Sequence, residues 1–80
     1  MASRPDYYAS AQAIATQLFE RGEFDWSGQI EDAIESGSTA TEILMRLRSV
    51  VQNLLASGVA NDREIGAAKA LVIQLDGVLN

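Results

Sequence analysis

The chain has 80 residues, 48% of them hydrophobic, and it carries a formal net charge of −5 with no cysteine and no histidine. This length suits one small domain, and the hydrophobic fraction is that of a folded chain rather than a disordered one. The missing cysteines and histidines exclude disulfides, thiol nucleophiles and the usual zinc ligands, and the acidic balance argues against nucleic-acid binding.

The first predicted helix spans about residues 5–21. Ser3 is its expected N-cap, Pro5 is tolerated in the first turn, and Asp6 favours the positive end of the helix dipole. Gly22 is expected to end the helix. Apolar side chains at helical spacing predict a buried face of Tyr7, Ala11, Ile14, Ala15 and Leu18, with Tyr8 and Phe19 along one edge.

Residues 23–27 contain two aromatic side chains, Phe24 and Trp26, two positions apart. This run is too short for a strand, and the sequence offers no second strand to pair with it. We therefore interpret the segment as a connector between helices, with both rings packed against the core.

A short second helix is predicted over about residues 26–36, because apolar residues there follow a helical period. Asp25 or Ser27 is the expected N-cap, and Gly37 is the expected stop. The side chains expected to face inward are Trp26, Ile30, Ala33 and Ile34.

The third predicted helix, over residues 40–57, bears the most hydrophobic surface of the chain. Thr39 followed by Glu42 matches a capping box, and Gly58 is a natural stop. The apolar face consists of Ile43, Leu44, Leu47, Val50, Val51, Leu54 and Leu55, with Ala40 among them. Any core must therefore form on this helix.

The fourth predicted helix, over residues 62–79, follows a short connection and begins with a second capping box, Asn61 and Glu64. Its inward face consists of Ile65, Ala68, Leu71, Val72, Leu75, Val78 and Leu79. Two long amphipathic helices joined by a short loop pack antiparallel, so we expect helices three and four to form a hairpin. The predicted fold is all-α: a small four-helix bundle or array, with residues 1–80 forming a single helical domain.

The net negative charge lies entirely in the first half of the chain, since the acidic and basic residues of 41–80 balance. The candidate protein-binding residues are Glu23, Asp25, Trp26, Glu31, Asp32 and Glu35. Carboxylates around an aromatic anchor are typical of a docking patch for a basic protein. The alternative interpretation is a solvated helix face, with acids favoured near the helix N-terminus by the dipole.

A second candidate surface lies on the far side of the fourth helix. It consists of Gly66, Ala70, Ile73 and Gly77. Small residues around one isoleucine let another helix approach closely, either in a homodimer or in a partner protein. The alternative is that Gly66 lies early in the helix, Gly77 lies where it frays, and Ile73 is an ordinary exposed residue.

The sequence contains no catalytic constellation, so we expect neither an enzyme nor a cofactor or metal site. The function that it favours is a non-enzymatic protein-binding module, a small acidic inhibitor or immunity-type protein that docks on a basic partner surface. This is an analogy of architecture, since such proteins share this size, charge and helix count. The alternative is a homo-oligomeric structural or adaptor protein assembled through the fourth helix, and a nucleic-acid mimic is a third hypothesis.

The expected location is the cytoplasm. No apolar run is long enough to cross a membrane, and Met1 and the residues after it lead into no apolar signal core. The absence of cysteine also suits a reducing compartment.

Overall fold

A computed structural model describes residues 6–79 and contains four helices. These are α1 (Tyr7–Glu20), α2 (Phe24–Ser36), α3 (Ala40–Ser57) and α4 (Asp62–Leu79), and this described part has no strand. The helices pack in a closed ring, α1 on α2, α2 on α3, α3 on α4, and α4 on α1. The predicted all-α, four-helix fold is confirmed.

The start of α1 is set by Asp6. Its side chain accepts a hydrogen bond of 2.9 Å from the backbone N–H of Ala9, and its own backbone is extended. A capping side chain satisfies an N–H group that the first helical turn leaves without a partner. The helix therefore starts at Tyr7 rather than at about residue 5, and the predicted roles of Ser3 and Pro5 lie outside the described residues.

Helix α2 begins at Phe24, two residues earlier than predicted. The chain turns at Gly22, whose φ of +87° lies in the left-handed region that favours glycine, and then enters the helix directly. Glu23 occupies the N-cap position but makes no capping hydrogen bond with its side chain. Neither Asp25 nor Ser27 is the cap, since both lie inside the helix.

Gly37 follows α2 for a steric reason. Its backbone is extended, with φ −80° and ψ 144°, a conformation open to any residue. A methyl group added there would clash with the side chain of Ile43 and lie 3.1 Å from the backbone nitrogen of the same residue. The absence of a side chain therefore lets the connector pass close to the first turns of α3.

The predicted caps of α3 and α4 are present. Thr39 Oγ1 accepts from the N–H of Glu42 at 3.2 Å, and Gly58 ends α3 with a φ of +77°. At α4 the capping box is complete. The N–H of Glu64 donates to Asn61 Oδ1 at 2.9 Å, and the N–H of Asn61 donates to Glu64 Oε1 at 3.0 Å.

The core lies at the centre of the ring, and α3 contributes Leu44, Leu47, Val51 and Leu54 to it. The buried apolar residues of the other helices are Ala11, Ile14, Ala15, Leu18, Ile30, Ala33, Ala68, Leu71 and Leu75. Three residues predicted on or beside the apolar faces, Phe19, Ala40 and Val78, are instead exposed, and all three lie in the first or last residues of a helix. Neighbouring helices cover the middle of each helix better than its ends.

The hairpin of α3 and α4 is antiparallel, as predicted. Residues 58–61 connect the two helices, and Arg48 in the middle of α3 pairs with Asp76 near the end of α4 at 3.1 Å. Arg21 of the α1–α2 connector donates a 2.7 Å hydrogen bond to the carbonyl of Val59 in the α3–α4 connector. The two connectors therefore lie at the same end of the bundle.

Candidate protein-binding site

Helix α2 divides its side chains between the core and solvent. Ile30 and Ala33 are buried, whereas Asp25, Asp32 and Glu35 are exposed. Seven residues make nearly two turns, so Asp25 and Asp32 share one side of the exposed face. Glu31 is partly exposed and lies one turn before Glu35 on the other side. We call these four carboxylates the acidic face of α2.

The acidic face is not neutralised by ion pairs within residues 6–79. The ion pairs of this part of the chain join arginines to Glu23, Glu42, Glu64 and Asp76, and none involves the acidic face. Arg46 lines a cavity of about 270 Å³ together with Asp32, but its guanidinium binds Glu42 at 3.1 Å and Ser36 Oγ at 2.9 Å. The negative charge of α2 is therefore directed to solvent.

Two exposed aromatic rings adjoin the acidic face. Phe19 and Phe24 are each 59% exposed, and their ring centroids are 5.0 Å apart in an edge-to-face arrangement. The prediction that Phe24 packs on the core is wrong, because the earlier start of α2 turns this ring outward, to the side that Glu31 shares seven residues later. Trp26 does pack against the core, as predicted, and is half-buried.

A small cleft lies where the α1–α2 connector meets α2. It has a volume of about 190 Å³ and is lined by Gly22, Glu23, Phe24, Asp25 and Trp26. Three of the six predicted binding residues, Glu23, Asp25 and Trp26, come together here. Glu31, Asp32 and Glu35 do not line this cleft and lie farther along α2. We refer to it below as the aromatic cleft.

A buried ion pair anchors this end of the bundle. Glu64 is fully buried and accepts from Arg21 Nε at 2.9 Å and from Arg21 Nη2 at 2.6 Å. The hydrogen bond from Arg21 holds the pKa of Glu64 below its ordinary value of 4.5, although burial alone would raise it. The pair joins the end of α1 to the start of α4, and so fixes the connector that carries the aromatic cleft.

The sequence reveals only half of this ion pair. The capping box identifies Glu64 as a residue with a local role, but nothing near it points to Arg21, which is 43 positions away. A partner at such a distance is set by the packing of α1 on α4, which helical periodicity does not specify.

The second predicted surface, on α4, is exposed as expected. Gly66, Ala70 and Gly77 are exposed, and Ile73 is 71% exposed. A methyl group added at Gly66 or Gly77 would meet nothing within 4 Å. Packing within the chain therefore does not require glycine at these positions.

Within residues 6–79, no group of three or more acidic side chains is placed to hold a metal ion. No helix in the same range combines the length and the apolar character needed to cross a bilayer. Comparisons of the chain with known protein families, with curated proteins and with solved structures found no match.

Proposed function

We propose that the protein is a non-enzymatic, cytoplasmic binding module whose acidic face of α2 docks on a basic surface of a partner protein, as small inhibitor or immunity-type proteins do. The observation that carries the proposal is that four carboxylates share the exposed side of one helix with no cation paired to them in residues 6–79. Such a face accelerates encounter with a positive surface and orients it.

The helix dipole does not account for most of the acidic face. Of the four carboxylates only Asp25 lies in the first turn of α2, where the dipole favours a negative charge. Glu31, Asp32 and Glu35 lie in the second half, and the last turn contains no basic residue. Carboxylates near a helix C-terminus are unfavourable, so dipole preference does not explain three of the four.

The neighbouring aromatic pair supports the same proposal. Carboxylates at an interface contribute mainly to the rate and specificity of binding, while buried aromatic anchors supply much of the affinity. Phe19 and Phe24 offer exposed apolar area beside the acidic face. Together they provide both elements of a docking surface for a basic protein.

The test is capture of partners from a lysate of the host organism on immobilised protein. We expect Glu31→Lys/Asp32→Lys to abolish capture of a basic partner, and we expect capture by the natural chain to fall steeply as salt rises, because exposed charges are screened within about 10 Å at 0.1 M salt. The control Gln12→Lys/Thr16→Lys adds positive charge to exposed positions of α1 and is expected to bind normally.

Circular dichroism must show that both variants keep their helical content. If the α2 reversal captures the same partner with unchanged affinity, the acidic face is a solvated surface and the proposal is wrong.

An alternative function is a homo-oligomeric structural or adaptor protein that assembles through α4. The exposed Ile73 and the glycines that internal packing does not require favour it. It predicts a mass above one chain in sedimentation, lost on Ile73→Glu. A strictly monomeric species at high protein concentration would exclude it.

A further inference from the structure

We propose that the aromatic cleft receives an arginine side chain of the basic partner, so that one guanidinium anchors the complex at the N-terminal end of α2. This inference rests on the proposed docking function and deepens it by naming the group that is recognised. The cleft is open to solvent, has a volume of about 190 Å³ and is lined by Gly22, Glu23, Phe24, Asp25 and Trp26.

The lining matches the chemistry of a guanidinium. Phe24 and Trp26 supply aromatic rings, whose faces attract cations, and indole is the strongest of the natural rings in this respect. Glu23 and Asp25 supply carboxylates, which accept hydrogen bonds from the planar fork of arginine. A compact and strongly hydrated ammonium stacks less well, so we expect arginine to bind better than lysine.

Within residues 6–79, neither carboxylate of the cleft has an ion-pair partner closer than 3.8 Å. Glu23 occupies the N-cap position of α2 without making a capping hydrogen bond, at a position where serine, threonine or aspartate is the usual choice. Its nearest cation is Arg21 Nη1 at 3.8 Å, and that guanidinium is held at 2.6 Å by Glu64 instead. Asp25 makes no ion pair with any of residues 6–79.

The electrostatic balance of the cleft favours a cation. The N-terminus of α2 contributes about half a positive charge, which opposes binding of a guanidinium. Two carboxylates in the same cleft outweigh it, and the charge of the neighbouring Arg21, 3.8 Å from Glu23, is balanced by its ion pair with Glu64 at 2.6 Å. The volume is also below the roughly 300–1,000 Å³ of sites for cofactors and drug-sized ligands, which favours the end of one side chain as the occupant.

Trp26 is the only tryptophan of the chain and lines the cleft, so tryptophan fluorescence reports on the surroundings of this one side chain. The probes are acetyl-Gly-Arg-Gly-amide and its lysine and citrulline counterparts, titrated at constant ionic strength. We expect a saturable change of emission with the arginine peptide, binding about threefold weaker for lysine, and no change with uncharged citrulline.

Variants locate the response. Glu23→Gln/Asp25→Asn is expected to weaken the arginine response by about tenfold, because it removes both charge-assisted hydrogen bonds. Glu31→Gln/Asp32→Asn changes the net charge equally but lies outside the cleft, and it is expected to leave the response unchanged. Circular dichroism of both variants checks that α2 remains folded.

An identical response to arginine and citrulline, equal binding of lysine, or no response at all would overturn the cleft proposal. The docking function is tested separately, by partner capture with the Glu31→Lys/Asp32→Lys variant, and its result does not depend on the peptide titration. Loss of the docking function with a normal arginine response would likewise leave the cleft as a binding site for a guanidinium.

Discussion

Glu64 is the one charged residue within residues 6–79 that is buried. It is fully buried, yet both of its oxygens accept hydrogen bonds, one from Nε and the other from Nη2 of Arg21 as well as from the N–H of Asn61. Burying a carboxylate is costly unless a cation and hydrogen bonds compensate for lost hydration. The two partners are unequal, because the side chain of Arg21 is 34% exposed and has access to water.

Because Arg21 and Glu64 differ in burial, we expect variants of the two residues to differ in stability. Arg21→Met should lower the free energy of unfolding more than Glu64→Met does, because it leaves a buried carboxylate without its cation. The double variant should be more stable than Arg21→Met alone. Urea unfolding measures this. Arg46→Met, in an exposed pair with Glu42, is the control and should cost about 0–1 kcal/mol.

The same contact predicts how stability depends on pH. Since the hydrogen bond from Arg21 lowers the pKa of Glu64 in the folded state, the unfolded chain binds more protons there. The contribution of Glu64 is therefore complete above the ordinary value of 4.5 and is lost as pH falls through the lower folded pKa. We expect the stability of Glu64→Gln to change less over this acidic window than that of the natural chain, as measured by urea unfolding at several pH values. Equal pH dependence would contradict the assignment.

At the scale of the helices, local sequence signals located most boundaries. The predicted caps make the expected hydrogen bonds with the side chains of Thr39 and Asn61. The predicted stop at Gly58 has a left-handed backbone. The sequence predicts the start of α2 two residues too late. Glu23 occupies the N-cap position without a side-chain hydrogen bond, so the sequence contains no recognisable cap there. The outward position of Phe24 follows from the earlier start of α2, and so does the aromatic cleft, which the sequence alone could not indicate.

The glycines beside and within α2 should respond in opposite ways to substitution. Gly28→Ala is expected to stabilise the protein by about 1 kcal/mol, because glycine is a poor helix former and an added methyl meets nothing within 4 Å. Gly37→Ala should destabilise it, because of the close approach to Ile43. Thermal unfolding followed by circular dichroism compares the two. Stabilisation by Gly37→Ala would show that the connector is free to move away.

The carboxylates at the end of α2 predict a trade-off between stability and binding. Glu35→Lys places a cation at the negative end of the helix, and we expect it to stabilise the isolated protein by about 0.3–1 kcal/mol. The same change should weaken partner binding, if the acidic face is the docking surface. Exposed Glu20, at the end of α1, gives the matched control, since Glu20→Lys makes the same dipole gain outside that face.

The whole molecule is held together by one core that all four helices share. Leu47 at its centre is 0% exposed, so we expect Leu47→Ala to cost about 2–5 kcal/mol, a large part of the roughly 5–15 kcal/mol that small domains possess. Met45→Ala, two residues away and 51% exposed, should change stability by less than about 0.5 kcal/mol. Thermal melting measures both, and equal losses would mean that α3 presents a different face to the core.

The fold and the two candidate surfaces differ in how far the sequence could predict them. Apolar residues such as Leu47 and Leu71 recur at helical intervals, and burial of that pattern leaves little choice of architecture. The exposure of Asp32 and Ile73 followed from the same pattern. The pairing of Arg21 with Glu64 and the contact of Phe19 with Phe24 depend on how helices meet at their ends, where periodicity has no influence.

Charge is unevenly divided between the two halves of the bundle. The excess of carboxylates belongs mainly to α2, with one more in α1, whereas the α3–α4 hairpin is balanced and holds ion pairs such as that of Arg48 with Asp76. The hairpin thus provides a neutral scaffold, and the opposite half of the bundle presents the negative charge.

The most direct test of the docking function is a nuclear magnetic resonance titration of the ¹⁵N-labelled protein with the basic partner that it captures. We expect the amide shifts to change along the exposed side of α2, at Asp25, Gly28, Asp32 and Glu35, and to stay constant on α4. Shift changes centred on Ile73, with α2 unaffected, would contradict the account.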